Sequence, residues 1–326
     1  MVWQRLCFDV FILQPGRFAN KKDIAMVYVA KNLVNAAGAA LEITIFRGFQ
    51  LLPETVTNLN KKGNKMKKII GSSTLILLLV FSSINVMAEK KNRPTASADT
   101  GVYSKYVWRG YELSNDSAVI QPSITFSYMD VSLNLWGNLD TRVDDSSHSN
   151  QFNETDMTLS YHRDLGHFSL GLGYIYYGLD GADDAEELYL SAGLDTILSP
   201  TLTVYRDIAH MPSWYMSFTL SHSFELPKDI TLDLAGSAGY YHSCDQDDIP
   251  EYNGRLAATN EKYRGFHNGL VSIGLTVPVG EYATVCPVIA YSFPLTEEAN
   301  DHIAGTNTYS NDSDYVYGGA NLSVCF

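Results

Sequence analysis

From residue 100 to residue 326 the chain is a succession of about twelve short segments in which apolar and polar residues alternate. A period of two sends successive side chains to opposite faces of a strand. In the segment 131–140, Val131, Leu133, Leu135, Gly137 and Leu139 share one face, and Ser132, Asn134, Trp136, Asn138 and Asp140 share the other. Nearly every segment repeats this pattern, and no amphipathic helix is available to cover so many apolar faces. A sheet closed on itself, apolar outside and polar inside, satisfies all of them at once. The expected fold is therefore all-β, an antiparallel transmembrane β-barrel of about twelve strands over residues 100–326. The strand candidates are 100–111, 119–128, 131–140, 153–161, 168–178, 187–196, 201–209, 214–223, 230–242, 268–277, 282–293 and 315–326.

The net charge of −13 would suit a soluble protein equally well, as it must for a barrel whose lumen is polar. One apolar run stands apart. From Met66, two lysines (Lys67, Lys68) precede an apolar centre from Leu75 to Phe81 and a small-residue pattern, Val86-Met87-Ala88. This reads as a secretory signal peptide over 66–88, cleaved after Ala88, because the centre is shorter than the ~20 residues a spanning helix needs. Residues 1–65 would hide such a signal from the export machinery. Lys61 to Lys65 can be encoded by a purine-rich stretch resembling a ribosome-binding site, so 1–65 is expected to be a misannotated upstream extension. The competing reading is a folded domain with a helix at 23–40 and a strand at 41–49. Residues 89–99 are expected to form a periplasmic N-terminal segment.

An even strand count returns both termini to the periplasm. The connections at 129–130, 162–167, 197–200, 224–229 and 278–281 are short, whereas 141–152, 179–186, 243–267 and 294–314 are longer and more acidic, as expected for external loops. The last segment alternates back from Phe326 through Val324 and Leu322, which resembles the C-terminal signal read by the barrel assembly machinery. Trp108, Tyr174, Tyr176, Trp214, Tyr240, Tyr291 and Phe326 fall on outward parity near strand ends, where aromatic girdles would sit. Cys244, Cys286 and Cys325 lie in the mature chain, and a Cys286–Cys325 disulfide is conceivable.

Parity assigns Lys105, Arg109, Asp140, Glu154, Asp156, Glu187, Asp195, Asp207 and Asp233 to the lumen. Two readings stay open: an acidic lining that selects cations, or a plugged interior in which the two bases neutralise neighbouring acids. Twelve strands lie between the ~8 that side chains fill and the 16–18 that leave a wide channel. Arg206 falls on lipid-facing parity, so a β-bulge at 205–207 is expected.

Catalytic and metal groupings are weak. A barrel phospholipase would need a Ser and a His two residues apart on one face, but the outward His222 of Ser221-His222-Ser223 is followed on its face by Phe224. An omptin-like protease would have to use Asp144-Asp145 and Asp301-His302. The acidic clusters Asp183, Asp184, Glu186, Glu187 and Asp245, Asp247, Asp248, Glu251 lack EF-hand spacing and read as loose counterion sites.

The stretches Ser104 to Asp140 and Val204 to Leu226 together resemble the TorF family of outer-membrane porins of Gram-negative bacteria. The resemblance implies an outer-membrane barrel with a transport role and provides no catalytic residues. The combined expectation is a porin-like channel for small hydrophilic solutes, cationic or neutral, with no cofactor, no metal and no nucleic-acid partner. Its surroundings would be outer-membrane lipid and lipopolysaccharide. The alternatives are a barrel hydrolase and a non-conducting structural or surface-recognition barrel.

Overall fold

The computed structural model describes residues 93–141 and 152–326. The expected upstream extension, the signal peptide with its cleavage site, and Asp144-Asp145 lie outside the described residues. Twelve antiparallel strands form a closed barrel. They are β1 (Thr95–Tyr103), β4 (Val119–Tyr128), β5 (Val131–Asp140), β6 (Phe152–Leu165), β7 (Phe168–Leu179), β8 (Ala185–Leu194), β9 (Thr201–Asp207), β10 (Ser213–Leu226), β11 (Ile230–Ser243), β14 (Arg264–Val279), β15 (Ala283–Pro294) and β16 (Tyr315–Cys325). Consecutive strands pair all the way round, and β1 closes the ring by pairing with both β4 and β16 (Gly101 opposite Gln121 and Asn321). Closure leaves no unpaired strand edge, the condition for a sheet to sit in hydrocarbon.

The alternation in the sequence becomes the two faces of the wall. On β8, Glu187, Tyr189 and Ser191 are buried in the lumen while Leu188 and Leu190 are exposed outward. On β9, Thr203, Tyr205 and Asp207 point inward and Leu202 outward. Both chain ends of the barrel share one rim with the tight turns. One of these, Gly166-His167 between the paired Leu165 and Phe168, uses a glycine at φ +67°, a region that costs a side-chain-bearing residue more. The opposite rim carries the long connections, as the sequence indicates. An epitope inserted at the exposed Gly254 should therefore be labelled on intact cells and one at Asp229 should not; labelling of Asp229 alone would reverse the orientation.

Several expectations change. The first wall strand begins at Thr95, so residues 95–99 belong to the barrel rather than to a periplasmic segment, and it ends at Tyr103 instead of running to residue 111. At Ser104 the chain turns into the lumen and forms a small hairpin, β2 (Val107–Trp108) and β3 (Tyr111–Glu112), before rejoining the wall at β4. Trp108 consequently faces Tyr177 inside the barrel, with ring centroids 6.1 Å apart, and belongs to no lipid girdle. The expected bulge at Arg206 is absent: the pairing runs without a register shift to Trp214 on one side and Leu188 on the other. Arg206 is tolerated at its outward position because it lies one residue from the end of β9. There its guanidinium sits 5.1 Å from the Trp214 ring and donates to the Cys244 sulfur at 3.2 Å. Cys286 and Cys325 are not joined in a disulfide. Cys286 lies opposite Asn321, four residues from Cys325, so their Cα atoms are separated by roughly 13 Å of strand, beyond the ~7 Å reach of a disulfide.

Two of the long connections carry secondary structure. The connection after β11 carries a second hairpin, β12 (Pro250–Tyr252) with β13 (Ala258–Lys262). The connection after β15 holds a helix, α1 (Glu297–Thr306). Thr296 caps it by accepting from the Ala299 amide at 3.1 Å, and Glu297 and Glu298 occupy the first turn, where a helix favours negative charge. Ala299, His302 and Ile303 recur at helical spacing and form its buried face.

Candidate lumen site

The tip of the inner hairpin is Arg109-Gly110, between the paired Trp108 and Tyr111. Both tip residues have positive φ (50° and 90°), the combination a tight two-residue hairpin needs. A Cβ on Gly110 would come within 3.0 Å of Asn268 Cβ and 3.2 Å of Ile303 Cδ1, so only glycine lets the tip reach β14 and α1. That approach delivers Arg109 to the wall. Its guanidinium makes a two-pronged pair with Glu187, Nη1 to Oε1 and Nη2 to Oε2, both at 2.7 Å. It also lies 4.3–4.5 Å from the ring centroids of Tyr215, Trp108 and Tyr205. Parallel N–H donors matched to a carboxylate, with aromatic faces above and below, suit arginine and not lysine. The Tyr177 hydroxyl adds a third bond to Glu187 at 2.9 Å.

The aromatic wall has a regular origin. Tyr189, Tyr205, Tyr215 and Tyr241 occupy inward positions on four successive strands and lie directly opposite one another in register. Successive rings are 5.7–6.1 Å apart, forming an internal ladder.

Two histidines lock the hairpin from the outer side. His267 Nε2 lies 3.0 Å from the Arg109 carbonyl, which can only accept, so Nε2 carries the proton and Nδ1 accepts from the Tyr263 hydroxyl at 2.8 Å. His302 Nδ1 likewise donates to the Pro250 carbonyl at 3.0 Å, leaving Nε2 to accept from the Tyr111 hydroxyl at 2.9 Å. His302 stacks flat on Tyr263 at 3.8 Å. Burial lowers the His302 pKa to about 4, so at neutral pH the ring is uncharged, as these bonds require. Burial also pushes the Tyr111 hydroxyl up, which keeps it a donor.

The remaining candidates divide by place. Lys105 is on the inserted segment, paired with Glu112 at 3.2 Å and with Asp116. Asp140 ends β5 and accepts from Ser117, tying down the far end of the same segment. Glu154 and Asp156 are buried side by side on β6, and Glu154 is bonded to the Tyr106 hydroxyl. Asp207 lies opposite Glu187 and receives the Ala209 amide at 3.0 Å. Asp233 is inward near the short-turn rim, held by Ser223, Thr231 and Thr276 at 2.6–3.0 Å. Asp195 is not a lumen residue. β8 ends at Leu194, and the Asp195 carboxylate is exposed at the short-turn rim, 3.9 Å from His167. The terminal residues keep their strand context: Phe326 exchanges backbone bonds with Ala96 at 2.8 and 3.4 Å, and Leu322 and Phe326 are exposed outward.

Two histidines considered for catalysis, His302 and His222, are engaged elsewhere. His302 is committed to the inner clamp and is unavailable to a rim pair with Asp301. His222 contacts the Ile197 carbonyl at 2.6 Å and Phe224 edge-on at 4.4 Å.

The sequence did not point to Asp99, which is buried on β1, or to Glu112, the tyrosine ladder, His267 or the inner role of His302. Inward parity of Tyr189, Tyr205, Tyr215 and Tyr241 was the available signal for the ladder. None existed for the histidines, whose partners are up to 191 residues away.

Residues 87–214 match a bacterial family of unknown function, Gcw_chp. No curated protein matches the chain. Among solved structures, it is similar to the NanC porin (10% identity, TM-score 0.43, covering 71% of this chain and 98% of that one). It is also similar to the translocator domain of the autotransporter NalP from Neisseria meningitidis (10% identity, TM-score 0.33, 79% and 95%). A third is an anion-selective porin from Comamonas acidovorans (9% identity, TM-score 0.28, 72% and 98%).

Proposed function

We propose that the protein is an outer-membrane channel for small hydrophilic solutes, cationic or neutral, with a passage narrowed by the inserted segment at 104–118. The carrying observation is the charge of the lumen. Lys105 and Arg109 are each neutralised by their own carboxylates, leaving Asp99, Glu154, Asp156, Asp207 and Asp233 on the wall. Carboxyl groups without a basic partner, where they ionise, concentrate cations and repel anions. The exposed apolar outer face supports residence in lipid, in contact with outer-membrane lipid and lipopolysaccharide, after delivery through the C-terminal strand. The resemblance to the TorF porins supports the same role. The plug itself favours a second reading, a sealed structural or surface-recognition barrel.

Planar-bilayer recording separates the two. Discrete conductance steps are expected, with a reversal potential in a salt gradient that shows cation preference and grows as the Debye length lengthens to about 30 Å near 0.01 M salt. Folded protein that leaves the bilayer sealed would overturn the channel in favour of the structural barrel, and anion preference would overturn the role given to the carboxylates.

A further inference from the structure

Between the inserted segment and the wall lies a cavity of about 70 Å³. Asp156 faces it at only 2% exposure, and neither of its carboxylate oxygens has a hydrogen-bond donor. A buried carboxylate with nothing to bond is costly, and native proteins seldom leave one so. The cation that lines the same cavity, Lys105, is already occupied by Glu112 and Asp116. The nearest carboxyl, Glu154, takes the Tyr106 hydroxyl and lies within hydrogen-bond reach of Asp156, so the two acids can share one proton but have no cation to balance them.

Aromatic rings make up much of the remaining lining, with Val107, Val288, Ala290 and Gln121 between them. Trp136 lies directly opposite Asp156 on the neighbouring strand and is itself buried. Tyr106 packs against Trp136 with ring centroids 5.7 Å apart, and Trp108 and Tyr317 also line the cavity, which is open on one side. We infer that this cavity binds a small alkylammonium ion, its N–H groups donating to Asp156 and its carbon atoms lying on the faces of Trp136 and Tyr106.

Three features select that chemistry. A carboxylate with free acceptors calls for a donor carrying positive charge. Ring faces attract cations and accept C–H surface, which a hydrated metal ion does not present. Two carboxylates are too few for Ca²⁺ or Mg²⁺, and among the described residues no third Asp, Glu, His or Cys joins them to make a metal-binding group. The volume holds a few water-sized groups, enough for methylammonium or dimethylammonium and too small for a sugar or peptide.

The site deepens the channel reading by naming a solute class, and binding is measured without reference to conduction. The full folded protein in detergent is titrated with methylammonium chloride by calorimetry at pH 7, against KCl at the same ionic strength. Saturable methylammonium binding is expected, with no comparable K⁺ signal. Asp156→Asn should weaken it at least about tenfold, and Trp136→Leu severalfold. Heat-modifiable migration on gels checks that each variant is folded. If Asp156→Asn fails this check, Trp136→Leu together with the wild-type K⁺ comparison decides. No saturation in the wild type, as a proton held by Asp156 would produce, overturns the site. So does equal K⁺ binding, or unchanged affinity in a folded Asp156→Asn protein. Binding without conductance would leave the site standing and remove the channel; conductance without binding would do the reverse.

Discussion

Replacing Arg109 with alanine is expected to destabilise the protein by about 3–5 kcal/mol, the usual consequence of removing one partner of a buried ion pair. The Glu187 side chain is only 5% exposed and would keep one bond, from Tyr177, in place of three. The hairpin would also lose its contacts with the rings of Trp108, Tyr205 and Tyr215. Urea unfolding in detergent, followed by tryptophan fluorescence, measures the loss. The double variant Arg109→Met, Glu187→Gln should recover most of it, because no unpaired charge then remains. A single variant as stable as the wild type would mean that the pair does not hold the plug. In the bilayer, Arg109→Ala should raise single-channel conductance, since the released hairpin no longer narrows the lumen.

Acidification is the second large lever. His302 has a pKa near 4 in its buried position, against 6.5 when exposed. When α1 opens, the exposed ring binds protons that the packed ring refuses, so the packed state gains stability as pH rises and loses it as pH falls. The contribution is complete above about pH 6.5 and disappears toward pH 4. At 1.36 kcal/mol per unit it amounts to about 3 kcal/mol. Around the ring stand Tyr111, Tyr252, Tyr263, His267 and the Pro250 carbonyl, and none of them supplies a carboxylate to hold an imidazolium. Hydrogen exchange of α1 amides should therefore accelerate between pH 6.5 and 4 by more than intrinsic chemistry predicts. Protection that stays constant over that range, after the intrinsic correction, would remove His302 from the plug's stability.

The wall was legible because each strand meets two different solvents. A residue facing lipid must be apolar and its neighbour facing the lumen can be polar, so parity alone assigned Glu154, Asp156, Glu187, Asp207 and Asp233 to the face opposite the exposed apolar residues. Parity fails where the chain leaves the wall. Asp195 keeps the rhythm of β8 but falls one residue past its last wall pair, and in 104–111 the alternation breaks only at Tyr106-Val107-Trp108, after the point at which Ser104 turns inward.

The alternation, the even strand count and the contrast between short and long connections determined by themselves that this chain closes into a twelve-stranded barrel with both ends at the short-turn rim. Those features are local, and lipid enforces them residue by residue. Only the tertiary structure decided what fills the lumen. Arg109 meets Glu187 across 78 residues of sequence, and its carbonyl meets His267 across 158. Such partners are selected by the curvature of a closed wall, which brings distant strands to face one small interior, and no periodicity along the chain encodes that meeting.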